Sequence, residues 1–200
     1  MTEENKTIHV KKSTFKGIVG LIILIGFVAS YFIFFGSSGD VTDNIIASGK
    51  TGISVGDSAP DLTFKTIDGQ TLSINDLKGK PVILQGFASW CPSCKFQAGE
   101  IVKALESLGD KGDNIQVISL DIWKGETADD VRNNFIPDVF GSESNVPPNW
   151  EFTAYEPDFV ITYQLYSMDA TYILDEDGKI IFKDPDVTRT EAFLRILGGA

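Results

Sequence analysis

Residues 81–94 read Pro81-Val82-Ile83-Leu84-Gln85-Gly86-Phe87-Ala88-Ser89-Trp90-Cys91-Pro92-Ser93-Cys94. The first eight form a nearly continuous apolar run, the pattern of a central β-strand buried on both faces. A Cys-x-x-Cys follows at once. Beyond it Phe96, Ile101, Leu105 and Leu108 recur near helical spacing, with Gly109 as a stop. The cysteines therefore fall at a strand-to-helix junction. Unpaired amides and the helix dipole favour an anion there, so the Cys91 thiol is expected to ionise readily and act as nucleophile. One turn later, Cys94 is placed to resolve a mixed disulfide by exchange. Pro92 suits the first helical turn, where its missing N–H needs no partner. Trp90 is expected to shield one side of the sulfur pair.

The 200-residue chain has no other cysteine, and its single histidine is His9. A structural disulfide framework would need more cysteines, and a zinc site would need two further ligands. Chemistry that pairs a cysteine with an imidazole is excluded within one chain. Neither a metal nor a cofactor is expected. The net charge of −11 excludes generic nucleic-acid binding, because phosphate backbones are held by Lys and Arg.

Gly17 to Phe35 is an apolar run without a charge, about as long in helical form as a bilayer core is thick. Lys11, Lys12 and Lys16 precede it, and Asp40 and Asp43 follow. The positive-inside rule then predicts a cytoplasmic tail (1–16), a transmembrane signal-anchor helix (17–35), a linker (36–56) and an extracytoplasmic domain (57–200). The same reading predicts a single-pass protein of the cell membrane. A cleaved signal peptide is the rival reading, but the run is long for an h-region.

Working outward from the cysteines, Leu62–Thr66 and Gln70–Ile74 alternate around Asp68-Gly69, a hairpin signal. Residues 115–120 read as a second buried strand, followed by a helix near 126–135. Residues 136–160 are rich in aromatics and acids and receive no assignment; their aromatics are numerous enough to form a small core. Strands over 171–174 and 179–183 flank Asp177-Gly178. Thr188-Arg189-Thr190-Glu191 has capping-box spacing before a terminal helix. The order predicts an α/β/α sandwich with a central mixed sheet and an N-terminal β-hairpin, preceded by one transmembrane helix.

Several segments in this order resemble the thioredoxin superfamily, specifically the membrane-anchored TlpA/ResA-like redoxins with an AhpC/TSA-type domain. They are Gly56-Asp57-Ser58-Ala59-Pro60-Asp61, Leu77-Lys78-Gly79-Lys80-Pro81, Phe87-Ala88-Ser89-Trp90-Cys91-Pro92-Ser93-Cys94 and Tyr172-Ile173-Leu174-Asp175-Glu176-Asp177-Gly178. The resemblance implies a thiol–disulfide oxidoreductase acting on disulfide-bearing proteins through a redox-active Cys91–Cys94 pair. It also implies an integral-membrane electron donor of the DsbD/CcdA kind.

Three positions depart from the family. The usual cis-proline facing the disulfide is Asp169 here, where a trans peptide is expected because a non-proline cis bond is costly. Its negative charge would oppose ionisation of the thiol. Met168 and Asp169 then form the substrate-binding edge. The buried acid of many thioredoxins is Gln85, which can hydrogen-bond but cannot shuttle a proton. The kinking proline of the active-site helix is Gly99; the neighbouring Glu100 reads as solvent-facing, as does Lys95. With no histidine between the cysteines, a reductase is favoured over a strong oxidant. Two other readings use the same residues. Cys91, Cys94 and Met168 would suit Cu(I) in a copper metallochaperone, and a peroxiredoxin-type peroxidase shares the fold but needs a Thr-x-x-Cys that is missing.

Overall fold

The computed structural model describes residues 49–199. The tail, the apolar run over 17–35 and most of the expected linker lie outside the described residues. Among the described residues, no helix is long and apolar enough to cross a membrane.

The Asp68-Gly69 signal turns an antiparallel hairpin, β1 (Thr63–Lys65) and β2 (Thr71–Ser73), in which Gly69 takes a φ of +84° that suits glycine. The hairpin forms a small sheet of its own. The chain continues through β3 (Val82–Phe87), α1 (Pro92–Leu108), α2 (Asp110–Asp113) and β4 (Gln116–Asp121). Next come α3 (Ala128–Asp130), α4 (Ile136–Phe140), β5 (Trp150–Phe152) and α5 (Pro157–Thr162). It ends with β6 (Thr171–Leu174), β7 (Ile180–Asp184) and α6 (Thr190–Gly198).

The central sheet has the order β5-β4-β3-β6-β7. β3, β4 and β5 run parallel, whereas β6 and β7 join antiparallel, so the sheet is mixed. All six residues of β3 are buried. Their alternation sends Ile83 and Phe87 to the core with Ile101, Leu105, Phe193 and Leu197 of α1 and α6, and Val82 and Leu84 to the opposite core with Phe64, Phe159 and Tyr163. Burying each such Leu, Ile or Phe contributes about 1.5–3 kcal/mol, so the strand that leads into the cysteines is firmly anchored. In α1, Cys94, Ala98, Ile101 and Leu105 repeat at four- and three-residue steps and form its buried stripe. Gly109, with φ +57°, ends it.

Four expectations change. Residues 136–160, left unassigned, supply α4, the parallel edge strand β5 and the start of α5. The helix expected near 126–135 starts as α3, capped by a reciprocal Thr127–Asp130 box, then widens into a π-turn over Val131–Phe135. There Ile136 N–H donates to Val131 C=O, just before Pro137, which has no N–H to give to an ordinary helical bond. The capping box read at Thr188 and Glu191 does not form, because Arg189 is the N-cap of α6 and makes no side-chain cap. Lastly, residues 50–58 are held to the domain: Gly52 N–H donates to Ser58 C=O and Gly56 N–H to Ile180 C=O. The folded region thus begins before Asp57.

Candidate active site

Cys91 is the N-cap of α1, and its Sγ accepts the Cys94 backbone N–H at 3.2 Å. This places the first sulfur among the unpaired amides of the helix end, where an anion is favoured. The two cysteines form a disulfide with their Cα atoms 5.3 Å apart. Cys91 is 3% exposed and Cys94 not at all, so Cys91 is the sulfur nearer solvent. The Ser93 hydroxyl lies 3.3 Å from Cys91 Sγ. Trp90 is half exposed and packs edge-to-face on the equally exposed Trp123, with centroids 5.1 Å apart. Trp90 is thus one of a pair of exposed indoles.

Gln85 lies beneath the cysteines in a buried polar chain. Trp150 Nε1 donates to Ser119 Oγ, the Ser119 hydroxyl to Gln85 Oε1, and Gln85 Nε2 to the Cys94 carbonyl. It ties β3, β4 and β5 to the first turn of α1, and no member of the chain can accept a thiol proton at neutral pH.

The loop before β6 closes the other side. Met168 C=O lies 3.4 Å from Cys94 Sγ, and no peptide bond among the described residues is cis, as expected at Asp169. The Met168 side chain is partly buried against the core that includes both cysteines. Gln97 of α1, fully buried, fixes this loop. Its Nε2 donates to the Asp169 carbonyl (3.1 Å) and to Thr171 Oγ1 (2.9 Å), and its Oε1 accepts Thr188 N–H (2.8 Å). A carboxylate oxygen of Asp169 and both sulfurs lie within 4.8 Å of one another. Burial raises the Asp169 pKa; a hydrogen bond from Ser93 opposes the shift and the nearby Asp186 charge adds to it. With both sulfurs joined, this trio offers a cation a single charged ligand.

Two further carboxyls brace the active-site loop. Glu126 accepts the Ser89 N–H (2.8 Å) and hydroxyl (2.9 Å), tethering the residue before Trp90. Asp121, at the end of β4 and 1% exposed, accepts Trp123 N–H through Oδ1, while its Oδ2 is buried without a hydrogen bond. Burial, and then the neighbouring Glu126 and Asp130 charges, push the Asp121 carboxyl up to about 8, although the Trp123 N–H pulls the other way.

Two helix residues are not where the sequence pattern puts them. Lys95 pairs with Asp138 at 2.7 Å. Glu100, expected to face solvent, is 7% exposed and accepts Thr190 N–H and hydroxyl at the start of α6. A carboxylate from α1 thus does the capping that the Thr188 motif was expected to do. The hydrogen bond from Lys103, followed by the Thr190 N–H, lowers the Glu100 carboxyl to about 2. Sequence reasoning missed Gln97, Asp121 and Glu126. Of these only Asp121, an acid closing a buried apolar strand, left a local signal.

Residues 55–183 match the family profile of the AhpC/TSA family. Thioredoxin-like protein YneN of Bacillus subtilis (strain 168) is 30% identical over 131 residues, 66% of this chain and 71% of the relative. Thiol-disulfide oxidoreductase ResA of the same organism is 24% identical over 151 residues, 76% of this chain and 78% of the relative. Among solved structures, the thioredoxin domain of a thiol-disulfide oxidoreductase from Bacteroides vulgatus superposes with a TM-score of 0.58 at 19% identity. That match covers 74% of this chain and 98% of the other, a likeness of fold. The thioredoxin-like fold is therefore shared with solved structures, and the chain belongs to the AhpC/TSA family.

Proposed function

We propose that this protein is a thiol–disulfide oxidoreductase that reduces disulfides of protein substrates outside the cytoplasm, tethered to the membrane by residues 17–35. The observation that carries the chemistry is the Cys91–Cys94 disulfide at the N-terminus of α1, with Cys91 Sγ accepting the Cys94 N–H. In the reduced protein the same amide and helix end stabilise a Cys91 thiolate. That thiolate attacks one sulfur of a substrate disulfide, forming a mixed disulfide and releasing the other sulfur as a thiolate. Cys94, as thiolate, then attacks Cys91 Sγ. The internal disulfide re-forms, and the substrate leaves with two electrons gained. The exposed Trp90–Trp123 pair offers apolar surface for a polypeptide beside the sulfurs.

The extracytoplasmic location rests on the uncharged run over 17–35 and the lysines before it. An integral-membrane electron carrier of the DsbD/CcdA kind would then return the pair to its reduced form. Direction towards reduction is favoured by the absence of histidine between the cysteines.

Expression of the full-length Cys94→Ala variant in cells tests the reading. Exported proteins are expected to be held on Cys91 as mixed disulfides, and to be lost in the Cys91→Ala, Cys94→Ala double variant. Capture of cytoplasmic proteins alone would refute the location. A reduction potential of the purified pair near about −120 mV, that of strong oxidants, would refute the direction.

A further inference from the structure

We propose that Asp169 is the proton acceptor for the buried Cys94 thiol, a role that Gln85 beneath α1 cannot fill. The assignment rests on the oxidoreductase reading above. Cys94 is fully buried, so bulk water does not reach its sulfur to take a proton. Among the described residues, Asp169 supplies the carboxylate oxygen grouped with both sulfurs within 4.8 Å, a distance that one bridging water or a small side-chain rotation closes. Its Oδ1 is buried with no hydrogen-bond partner, so the carboxyl keeps an unfilled acceptor.

The backbone around this carboxyl is held in place. Gln97 binds the Asp169 carbonyl, and the Ser167, Met168 and Ala170 carbonyls come within 3.4–3.6 Å of where a β-carbon would stand on Gly86 of β3. Among the acids and bases around it, Asp186 acts on Asp169 through its charge and Ser93 through its hydroxyl. Lys95, on the same turn as Cys94, is engaged by Asp138. Burial raises the Asp169 pKa towards that of a thiol, which improves the match for proton transfer.

After Cys91 has formed the mixed disulfide, the Cys94 S–H gives its proton to the Asp169 carboxylate. The Cys94 sulfur uses its freed electron pair to bond to Cys91 Sγ, and the bond from Cys91 to the substrate sulfur breaks. That sulfur leaves as a thiolate with the bonding pair. The Asp169 carboxyl then passes its proton to it, and the carboxylate is restored. In all, the protein loses two electrons and the Cys94 proton; the substrate gains both electrons, its second sulfur takes that proton, and its first, released as a thiolate, is protonated by water.

The test is stopped-flow reaction of the reduced protein with 5,5′-dithiobis(2-nitrobenzoate), which releases one coloured thiolate at Cys91 attack and a second at Cys94 resolution. The first phase scales with reagent concentration and the second does not. Asp169→Asn is expected to slow the second phase at neutral pH by about 10²-fold and to make it rise with pH, because hydroxide must replace the carboxylate. The first phase is not expected to slow, because losing the Asp169 charge removes an influence that opposes ionisation at Cys91. Asp169→Glu should recover part of the second phase. An unchanged second phase in Asp169→Asn, or equal slowing of both phases in the Asn and Glu variants, would overturn the assignment. The two readings fail separately. A wild-type protein that shows both phases but traps no protein substrate refutes the oxidoreductase proposal and leaves the role of Asp169 standing.

Discussion

Replacing Asp121 by Asn should make the oxidised protein more stable, by an amount that grows with pH. Asp121 is 1% exposed at the end of β4, and burial beside Glu126 pushes its carboxyl up to about 8 from 3.8. The folded protein therefore holds a proton near neutrality that the unfolded chain has already released. The favourable contribution is complete below pH ~4 and is lost as pH rises towards ~8, at a slope of about 1.4 kcal/mol per pH unit. Asn mimics the protonated carboxyl. Its carbonyl can still accept the Trp123 N–H, and its amide stands where Oδ2 now lacks a partner. The slope should vanish, leaving the variant more stable at pH 7 by on the order of 4 kcal/mol and nearly equal to wild type at pH 4. Urea unfolding of both proteins at intervals from pH 4 to 8 reads the difference directly, and titrating groups that do not interact with Asp121 cancel. Parallel curves for the two proteins would refute the reasoning, as would a variant less stable at every pH.

Glu100 gives the opposite sign. Its carboxyl is lowered to about 2 from 4.5, chiefly by Lys103 and the Thr190 N–H, so its contribution is present above pH ~4.5 and fades as pH falls towards 2. Glu100→Gln should destabilise the protein at pH 7 by about 1 kcal/mol, a value discounted because Lys103 is solvent-exposed, and the deficit should shrink on acidification. Equal deficits at pH 7 and pH 3 in denaturant melts would count against this account. Gln97→Leu preserves volume but strips the partners from buried Thr188 N–H and the Asp169 carbonyl, and should cost about 2–5 kcal/mol. The urea midpoint should fall with the m-value unchanged, and a shift below about 0.5 kcal/mol would show that these groups find other partners.

Much of this architecture was legible in the residue pattern because the decisive segments are local. The apolar run into Cys91, the stripe of α1 and the two glycine turns each carry their instructions within a few residues. What escaped depends on contacts distant in sequence. β5 is three residues long and gains its identity by pairing with β4 beside the aromatic cluster of Phe135, Phe140 and Phe152. Glu100 looks like any surface acid until α6 brings Thr190 to it, ninety positions on. In the site, the cysteines and the oddity of Asp169 could be named from sequence. The Ser89–Glu126 tether could not, since nothing near either residue announces the other.

The way the sheet ends also bears on how the protein associates. The outer side of β5 is roofed by the end of the hairpin, where Ile67 N–H donates to Phe152 C=O and Thr66 bridges to Thr153. At the other margin, β7 carries Lys183 and Asp184, and its pairing with β6 is broken by an irregularity between Ile173 and Leu174. Covered, charged and irregular borders resist the zipping of a foreign strand onto the sheet. The protein is thereby kept from templating the aggregation of other chains, and from polymerising with its own copies margin to margin.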